Sequence, residues 1–185
     1  MGEEDKFKEL DPTQIIQEMR EEYWREISSA EAEGEEDRDQ VLVAEVGGER
    51  FALGAQLCKT IVKAGRVTRV PRLPSHMLGV INLRGQIISV VDLGQLLGLP
   101  SSSAGPKARL VVTESRGVRT AFLVEAVVGI EWVEKSRVRS PESLQSAVKA
   151  EYVKGHVAPV KEEKWVTYLD VDRMVHGPEL MVGRK

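Results

Sequence analysis

The period of the apolar side chains changes near residue 40. Before it, four of them recur at helical spacing, with Ile15 and Trp24 beside them: Ile16, Met19, Tyr23 and Ile27. Asp11 and Gln14 predict a capping box around Pro12, which suits the first turn of a helix. The pattern predicts an amphipathic helix over about 12–28. Residues 28–40 are rich in Glu and have no apolar period, which is typical of a linker.

After residue 40 the apolar runs become short. Residues 41–46 and 49–54 are two such runs, and Gly47-Gly48 between them predicts a two-residue β-hairpin. Further runs lie at 57–63, 67–70, 77–83, 86–93, 109–114, 119–124, 127–133, 152–160 and 165–169. Many short strands at this spacing predict an all-β barrel or sandwich, because the intervals are too short for repeated βαβ units.

Polar stretches divide the chain further. The Ser- and Pro-containing segment 100–106 predicts a flexible loop between two groups of strands, and 135–150 is mostly polar with one helical turn predicted near 141–144. We find no repeat in the sequence. We therefore expect an acidic N-terminal extension over 1–40, a β domain of two subdomains over 41–176 and a C-terminal tail over 177–185.

Asp92 lies where an apolar strand pattern gives way to a short helical one. With Gln95 three residues later it predicts a capping box at the start of a helix. A catalytic acid is the alternative. We interpret Asp92 as a structural N-cap.

Composition bounds the chemistry. The chain has 185 residues, 42% of them apolar and 30% charged, which is the balance of a soluble protein. One cysteine, Cys58, allows no internal disulfide, and three widely spaced histidines predict no metal site. The acidic start is unlike a signal peptide, and no apolar run approaches the ~20 residues of a membrane helix. We expect a cytoplasmic protein with no metal and no cofactor.

The net charge of −3 conceals an asymmetry. Residues 1–40 hold 15 acidic and 5 basic side chains, which leaves 14 acidic and 21 basic for the rest, or −10 against +7. The extension is either a solvated arm or one that masks a basic surface or docks elsewhere.

Two function classes find little support. There is no Gly-rich phosphate loop and no G-x-S-x-G elbow, and His76 lies in a predicted turn without a partner, so we expect no enzyme. A small nucleic-acid-binding β-barrel would suit the basic body. However, aromatics make up only 5% of the chain and are not interleaved with basic residues, so we expect no nucleic-acid partner.

One segment, 78–93, has an unusual pattern: two apolar strands flank Asn82-Leu83-Arg84-Gly85, and a capped helix follows. A β-turn explains Gly85 but not a charged Arg84 among apolar neighbours. Arginine is enriched where proteins anchor a partner. The pattern G-x-x-N-L-R-G-x-I-x-x-V-V-D-L closely resembles that of the chemotaxis coupling protein CheW and the similar regulatory domain of the CheA histidine kinase.

The resemblance extends over about 40–176. It includes the first hairpin, Val67-Thr68-Arg69-Val70-Pro71, the strands of 110–133 and Tyr152-Val153-Lys154-Gly155. It implies two SH3-like five-stranded barrels sharing a core, here preceded by the N-terminal amphipathic helix. It also implies a non-catalytic adaptor that joins the regulatory domain of a CheA-type kinase to the cytoplasmic tip of a methyl-accepting chemotaxis receptor, without inserting into the membrane.

The resemblance also places partner-binding positions, without dividing them between kinase and receptor: Cys58, Thr60, Ile61, Leu78, Gly79, Asn82, Arg84 and Gly85. By itself Cys58 is equally a small core residue. The chain departs from the family where a Glu-Ile pair is frequent and Thr60-Ile61 stands, where Ser89 replaces a frequent proline, and where Leu78 stands in place of a common lysine. An auxiliary CheW-like scaffold in a noncanonical chemosensory or motility pathway, with a different kinase, is therefore the alternative, because charge changes alter specificity more readily than fold.

Overall fold

The computed structural model describes residues 37–143, 148–158 and 164–180. The chain divides between Arg38 and Asp39, and the architecture below is that of the second unit. The helix expected over 12–28 lies outside the described residues, as do Leu144 of the predicted turn and the last five residues of the tail.

The described residues are mostly β-structure, in two sheets. Eleven strands and two short α-helices follow one another in this part of the chain: β1 (Arg38–Val46), β2 (Glu49–Gly54), β3 (Cys58–Lys63), β4 (Met77–Leu83), β5 (Gln86–Asp92), α1 (Leu93–Leu97), β6 (Arg109–Ser115), β7 (Val118–Val124), β8 (Ala126–Glu134), β9 (Val138–Arg139), β10 (Val153–Val157), β11 (Val166–Leu169) and α2 (Val171–His176). Single 3₁₀ turns lie at Ala55–Leu57, Lys135–Arg137, Pro141–Ser143 and Ala150–Tyr152.

The strands pair in two separate orders. The six-stranded sheet runs β8-β1-β2-β11-β10-β9, and the five-stranded sheet runs β3-β6-β7-β5-β4. Strand β3 follows the hairpin of the first sheet but pairs in the second, and β8 does the reverse. Each sheet thus takes one strand from the part of the chain that builds the other.

The two sheets repeat one plan, which no repeat in the sequence reveals. In both, an antiparallel hairpin pairs in parallel with a strand that precedes a short helix: β11 with β2, and β5 with β7. The register shifts at matching places, between Met77 and Gly79 and between Val153 and Gly155. Pairing depends on backbone geometry, so two unlike sequences form the same arrangement.

Three clusters of buried side chains hold the domain together. One lies within the five-stranded sheet and includes Ile88, Leu110 and Val112. A second lies within the six-stranded sheet, and the third, the shared core, contains Phe51 and Phe122 from different sheets. Successive side chains of β1 point to opposite faces of the sheet, so this strand contributes residues to two of the clusters. The predicted all-β fold with a shared core is confirmed.

The strand predictions hold in most places. The first hairpin turns at Gly47-Gly48 as expected. The six-stranded sheet exceeds the expected five strands because the two-residue β9 joins its edge, and the run 67–70 contributes only an isolated bridge between Thr68 and Val80. Part of the expected tail packs on the domain, since the Glu179 carbonyl lies 3.0 Å from His76 Nε2 and its carboxylate pairs with Lys149.

Candidate functional site

A groove of about 300 Å³ opens at one end of the five-stranded sheet. Residues from β3 and from the β4–β5 turn line it, although these strands lie at opposite edges of the sheet, so the sheet curls until its edges approach. We call it the β3–β4 groove, lined by Lys59, Thr60, Val62, Leu83, Arg84, Gln86, Ile88, Val112 and Arg119. Two predicted partner-binding residues, Thr60 and Arg84, thus meet in one concave site.

Arg84 owes its position to a tight turn. Arg84 and Gly85 connect β4 to β5 with φ values of 52° and 83°, and a two-residue turn of type I′ needs positive φ at both positions. The Gly85 amide also donates to Asn82 Oδ1 at 2.9 Å. Positive φ is unfavourable for an arginine, so the turn holds this side chain at the rim at some conformational cost.

The β3 positions differ in what they contact. Cys58 is half-buried against the shared core, and its thiol donates to the Gly54 carbonyl at 3.6 Å. Burial raises the pKa of this thiol to about 11, so it is protonated near neutral pH. Thr60 lines the groove, and Ile61 beside it is exposed. Packing accounts for Cys58, and its contact with a partner remains a prediction.

The β4 positions lie deeper than a contact surface requires. Leu78 packs against the core within the five-stranded sheet. Gly79 is buried, with φ of 138°, and a Cβ there would lie 2.1 Å from the Thr68 carbonyl oxygen. These two residues shape the edge of the sheet, and partner contact for them also remains a prediction.

Asp92 is the N-cap of α1 and is fully buried. Its Oδ1 accepts from the Gln95 amide at 3.3 Å, as a cap requires. Its amide donates to the His76 carbonyl at 2.8 Å, so the reciprocal bond of a capping box is not formed. The carboxylate also accepts from the Ser101 hydroxyl and from the Ser102 amide and hydroxyl, which ties the 100–106 loop to the helix.

The rim of the groove is cationic. Lys59, Arg84 and Arg119 line it, and none of its lining residues in the described part of the chain is acidic. Arg119 Nε lies 2.5 Å from Glu114 Oε2, and this hydrogen bond, with a smaller contribution from the charge of Lys59, lowers the pKa of Glu114. Arg119 also donates to the side chain of Gln86. Among the described residues, neither Lys59 nor Arg84 forms an ion pair, although the charge of Lys59 acts on Glu114.

Several surface residues escaped the sequence interpretation. Ile87, the second residue of β5, is 68% exposed and pairs with Asn82 of β4. Ile87, Glu114 and Arg119 line a shallow depression that adjoins the groove. The signal was hidden because Ile87-Ile88 are consecutive apolar residues, and alternation alone does not say which one faces the core.

The described residues, 37–143, 148–158 and 164–180, contain neither a cluster of metal ligands nor a membrane-spanning helix. Within these ranges no three His, Cys, Asp or Glu side chains gather as metal ligands would. No helix in these ranges has the length and apolarity to cross a membrane.

Comparisons with known proteins agree on one family. The model of the family described as CheW-like domain matches residues 40–179. Among curated relatives, the chemotaxis protein CheW of Bacillus subtilis is 31% identical over 108 residues, covering 58% of this chain and 69% of that protein. The chemotaxis protein CheW of Thermotoga maritima is 28% identical over 137 residues, covering 74% and 87%.

Two further matches widen the picture. Protein FrzA of Myxococcus xanthus is 25% identical over 130 residues, covering 70% of this chain and 81% of that protein. The crystal structure of the scaffolding protein TtCheW from Thermoanaerobacter tengcongensis is similar with a TM-score of 0.69 at 21% identity, covering 76% of this chain and 90% of that one. At that identity the likeness shows the fold.

Proposed function

The chain belongs to the CheW-like domain family, and on that premise we propose that it is a non-catalytic adaptor that couples chemoreceptors to a CheA-type histidine kinase in chemotaxis. The observation that supports this best is the β3–β4 groove, which joins Thr60 and Arg84 on a domain of this family. We place the protein in the cytoplasm, where the receptor tip and the kinase regulatory domain would meet it.

An adaptor of this kind needs no reactive group. It needs a rigid body with two separate surfaces, because holding two partners on one body raises their effective concentration toward each other. The shared core and the exchanged strands β3 and β8 supply that rigidity. The groove is one surface, and the predicted positions outside it remain candidates for the second.

Co-purification tests this function. The full chain, tagged and recovered from its own cells, should bring down a histidine kinase and a methyl-accepting receptor, and purified kinase should bind it in a titration. Recovery of neither partner would contradict the adaptor function. Steeply salt-dependent binding of oligonucleotides would favour the nucleic-acid alternative instead.

A second candidate keeps the adaptor role and changes the pathway. Thr60 supplies a neutral side chain to a groove with a cationic rim, and FrzA, a relative under a different name, covers much of the same domain. An auxiliary scaffold serving a different kinase fits both observations. Pull-downs against matched pairs of kinase and receptor from each pathway, run side by side, distinguish the two candidates.

A further inference from the structure

The β3–β4 groove combines an apolar floor with a charged rim. The floor consists of Val62, Leu83, Ile88 and Val112, which pack in or against the core within the five-stranded sheet. Its volume of about 300 Å³ is at the small end of ligand sites, so it holds a side chain or two and not a folded element.

The charge at the rim has one sign. Of the three cations that line the groove, Arg119 forms an ion pair with Glu114 in the adjoining depression, and the same carboxylate interacts more weakly with Lys59, so the groove lining keeps a net positive charge. Lys59 stands on β3 and Arg84 on the facing turn, so two positive charges flank the opening from opposite sides. Uncompensated charge of one sign attracts a partner of the other sign and rejects one of the same sign.

One exposed apolar side chain lies beyond the rim, in a depression that Glu114 and Arg119 also line. The adjoining depression, about 520 Å³, shares Gln86, Ile88 and Arg119 with the groove and includes the exposed side chain of Ile87. A bound segment could therefore place one apolar side chain in the groove and rest its backbone along Ile87.

We propose that the β3–β4 groove binds an acidic segment of a partner protein, which inserts one apolar side chain between Lys59 and Arg84 and sets its carboxylates against these two cations. This inference rests on the proposed adaptor function and assigns the partner's chemistry. The neutral Thr60 at the rim admits the acidic flank, because an acidic residue in its place would repel it.

Short peptides test the groove without any natural partner. The full chain, labelled with ¹⁵N, is titrated with the peptide Glu-Glu-Leu-Glu-Glu, with Lys-Lys-Leu-Lys-Lys and with Glu-Glu-Ser-Glu-Glu. We expect the first peptide alone to shift the amides of Thr60, Val62 and Leu83 in a saturable way, and less so as salt rises. Equal shifts from the basic peptide, no shifts, or shifts confined to the exposed row Val128, Ile130 and Trp132 on β8 would overturn the proposal.

Variants then connect the groove to the partners. Lys59→Glu combined with Arg84→Glu should weaken binding of the kinase or of the receptor fragment by about tenfold or more, and reversing an acidic residue in the partner should restore it. Lys107→Glu is the matched control, since Lys107 is exposed and lies outside the groove, and it should change affinity less than about twofold.

The two proposals fail in different ways. If wild-type protein binds kinase and receptor but the double variant binds them equally well, the groove proposal is wrong and the adaptor function stands. If neither partner binds wild-type protein while the acidic peptide still fills the groove, the adaptor function is wrong and the groove stands.

Discussion

At the scale of single residues, Arg84 shows how a turn presents a charge. Its backbone has positive φ and its side chain is exposed at the groove rim. Arg116 occupies the same position of the β6–β7 turn, with φ of 46°, but pairs with Asp172 at 2.5 Å. The two arginines have similar positions in their turns, but among the described residues only Arg116 forms an ion pair.

Substitution at Arg84 should separate binding from stability. Arg84→Glu should greatly weaken partner binding and change the free energy of unfolding by no more than about 0.5 kcal/mol, because the side chain is on the surface. Arg84→Asn should also weaken binding while suiting the turn, since asparagine tolerates positive φ. Calorimetric titration and urea melts measure the two effects.

Arg116→Asn serves as the control for Arg84. It removes an arginine from an equivalent turn but leaves the β3–β4 groove intact, so partner affinity should remain that of wild type. Unchanged affinity for both partners in Arg84→Glu would remove Arg84 from the binding surface, and a large loss of stability would make it structural.

Asp92 accepts hydrogen bonds from the 100–106 loop in addition to capping a helix. Asp92→Ala leaves the buried amide of Ser102 and the amide of Gln95 without their acceptor, so we expect a loss of about 2 to 4 kcal/mol, more than the ~1 kcal/mol of a simple cap. Asp92→Asn should recover only part of it, because its amide group is a donor facing the donors of Ser101 and Ser102. Urea melts of both variants check this, and full recovery by Asn would reduce Asp92 to a cap alone.

His156 makes stability depend on pH. It is 2% exposed beside Thr167 Oγ1, and burial lowers its pKa below the ordinary 6.5, against a backbone hydrogen bond at Pro141 and the charge of Glu49. The unfolded chain then binds a proton that the folded chain excludes, so stability is lost as pH falls below about 6.5.

The corresponding variant should flatten that slope. In His156→Gln the free energy of unfolding should change less between pH 6.5 and pH 5 than in wild type, as measured by urea melts at each pH. His76→Gln is the control for the loss of an imidazole outside the core, since His76 is only half-buried. An equal slope in all three proteins would contradict the assignment to His156.

At the scale of elements, two glycines let a neighbouring segment cross a strand. A Cβ on Gly79 would lie 2.1 Å from the Thr68 carbonyl oxygen, and one on Gly155 2.5 Å from that of Arg139. The two positions match in the repeated plan, each following a register shift. Each close approach lies within its own sheet, so what the two positions share is backbone geometry and not sequence similarity.

Substitution of either glycine by alanine should therefore destabilise the edge of its sheet. Gly79→Ala and Gly155→Ala should each cost about 2 kcal/mol or more, since backbone must move in both and Gly79 also has positive φ. Gly129→Ala on β8 is the control, because a Cβ there meets nothing within 4 Å. Thermal melts rank the three, and if Gly79→Ala kept full stability but lost partner binding, Gly79 would be a contact residue after all.

At the scale of the whole molecule, the exchanged strands and the shared core tie the two sheets together. Phe51 and Phe122 pack in one cluster although they belong to different sheets. Within the six-stranded sheet, Asp39 on β1 accepts from the Tyr168 hydroxyl on β11 at 3.1 Å. Neither sheet keeps its core without strands from the other part of the chain, so the two should unfold as one unit.

Removal of residues 1–37 tests this unity. Among the described residues, the members of the three buried clusters begin at Val41, and Asp39 is retained, so the shortened chain should stay folded and unfold in a single cooperative transition. Far-ultraviolet circular dichroism and the fluorescence of Trp132 and Trp165 should report the same midpoint. A molten or insoluble product would make the extension part of the fold.

Much of the β domain could be predicted because its signals are local. Gly47-Gly48 sets a hairpin through the φ values of two adjacent residues, and Asp92 caps a helix that starts one residue later. The Asn82-Leu83-Arg84-Gly85 motif identified the family for a similar reason, since its turn and flanking strands are contiguous. The residues that determine each of these features lie within a few positions of one another along the chain.

The remaining features depend on strands far apart in sequence, and only the tertiary structure decided them. Alternation could not say whether Ile87 or Ile88 faces the core, since that depends on the sheet's curl. The sequence around Thr60 did not indicate that this residue lines a groove with Arg84. The sequence around Gly79 did not indicate its close approach to the Thr68 carbonyl. The strand exchange, the parallel pairs and the groove arise from long-range pairing, whose geometry is settled when all the strands bury their apolar faces together.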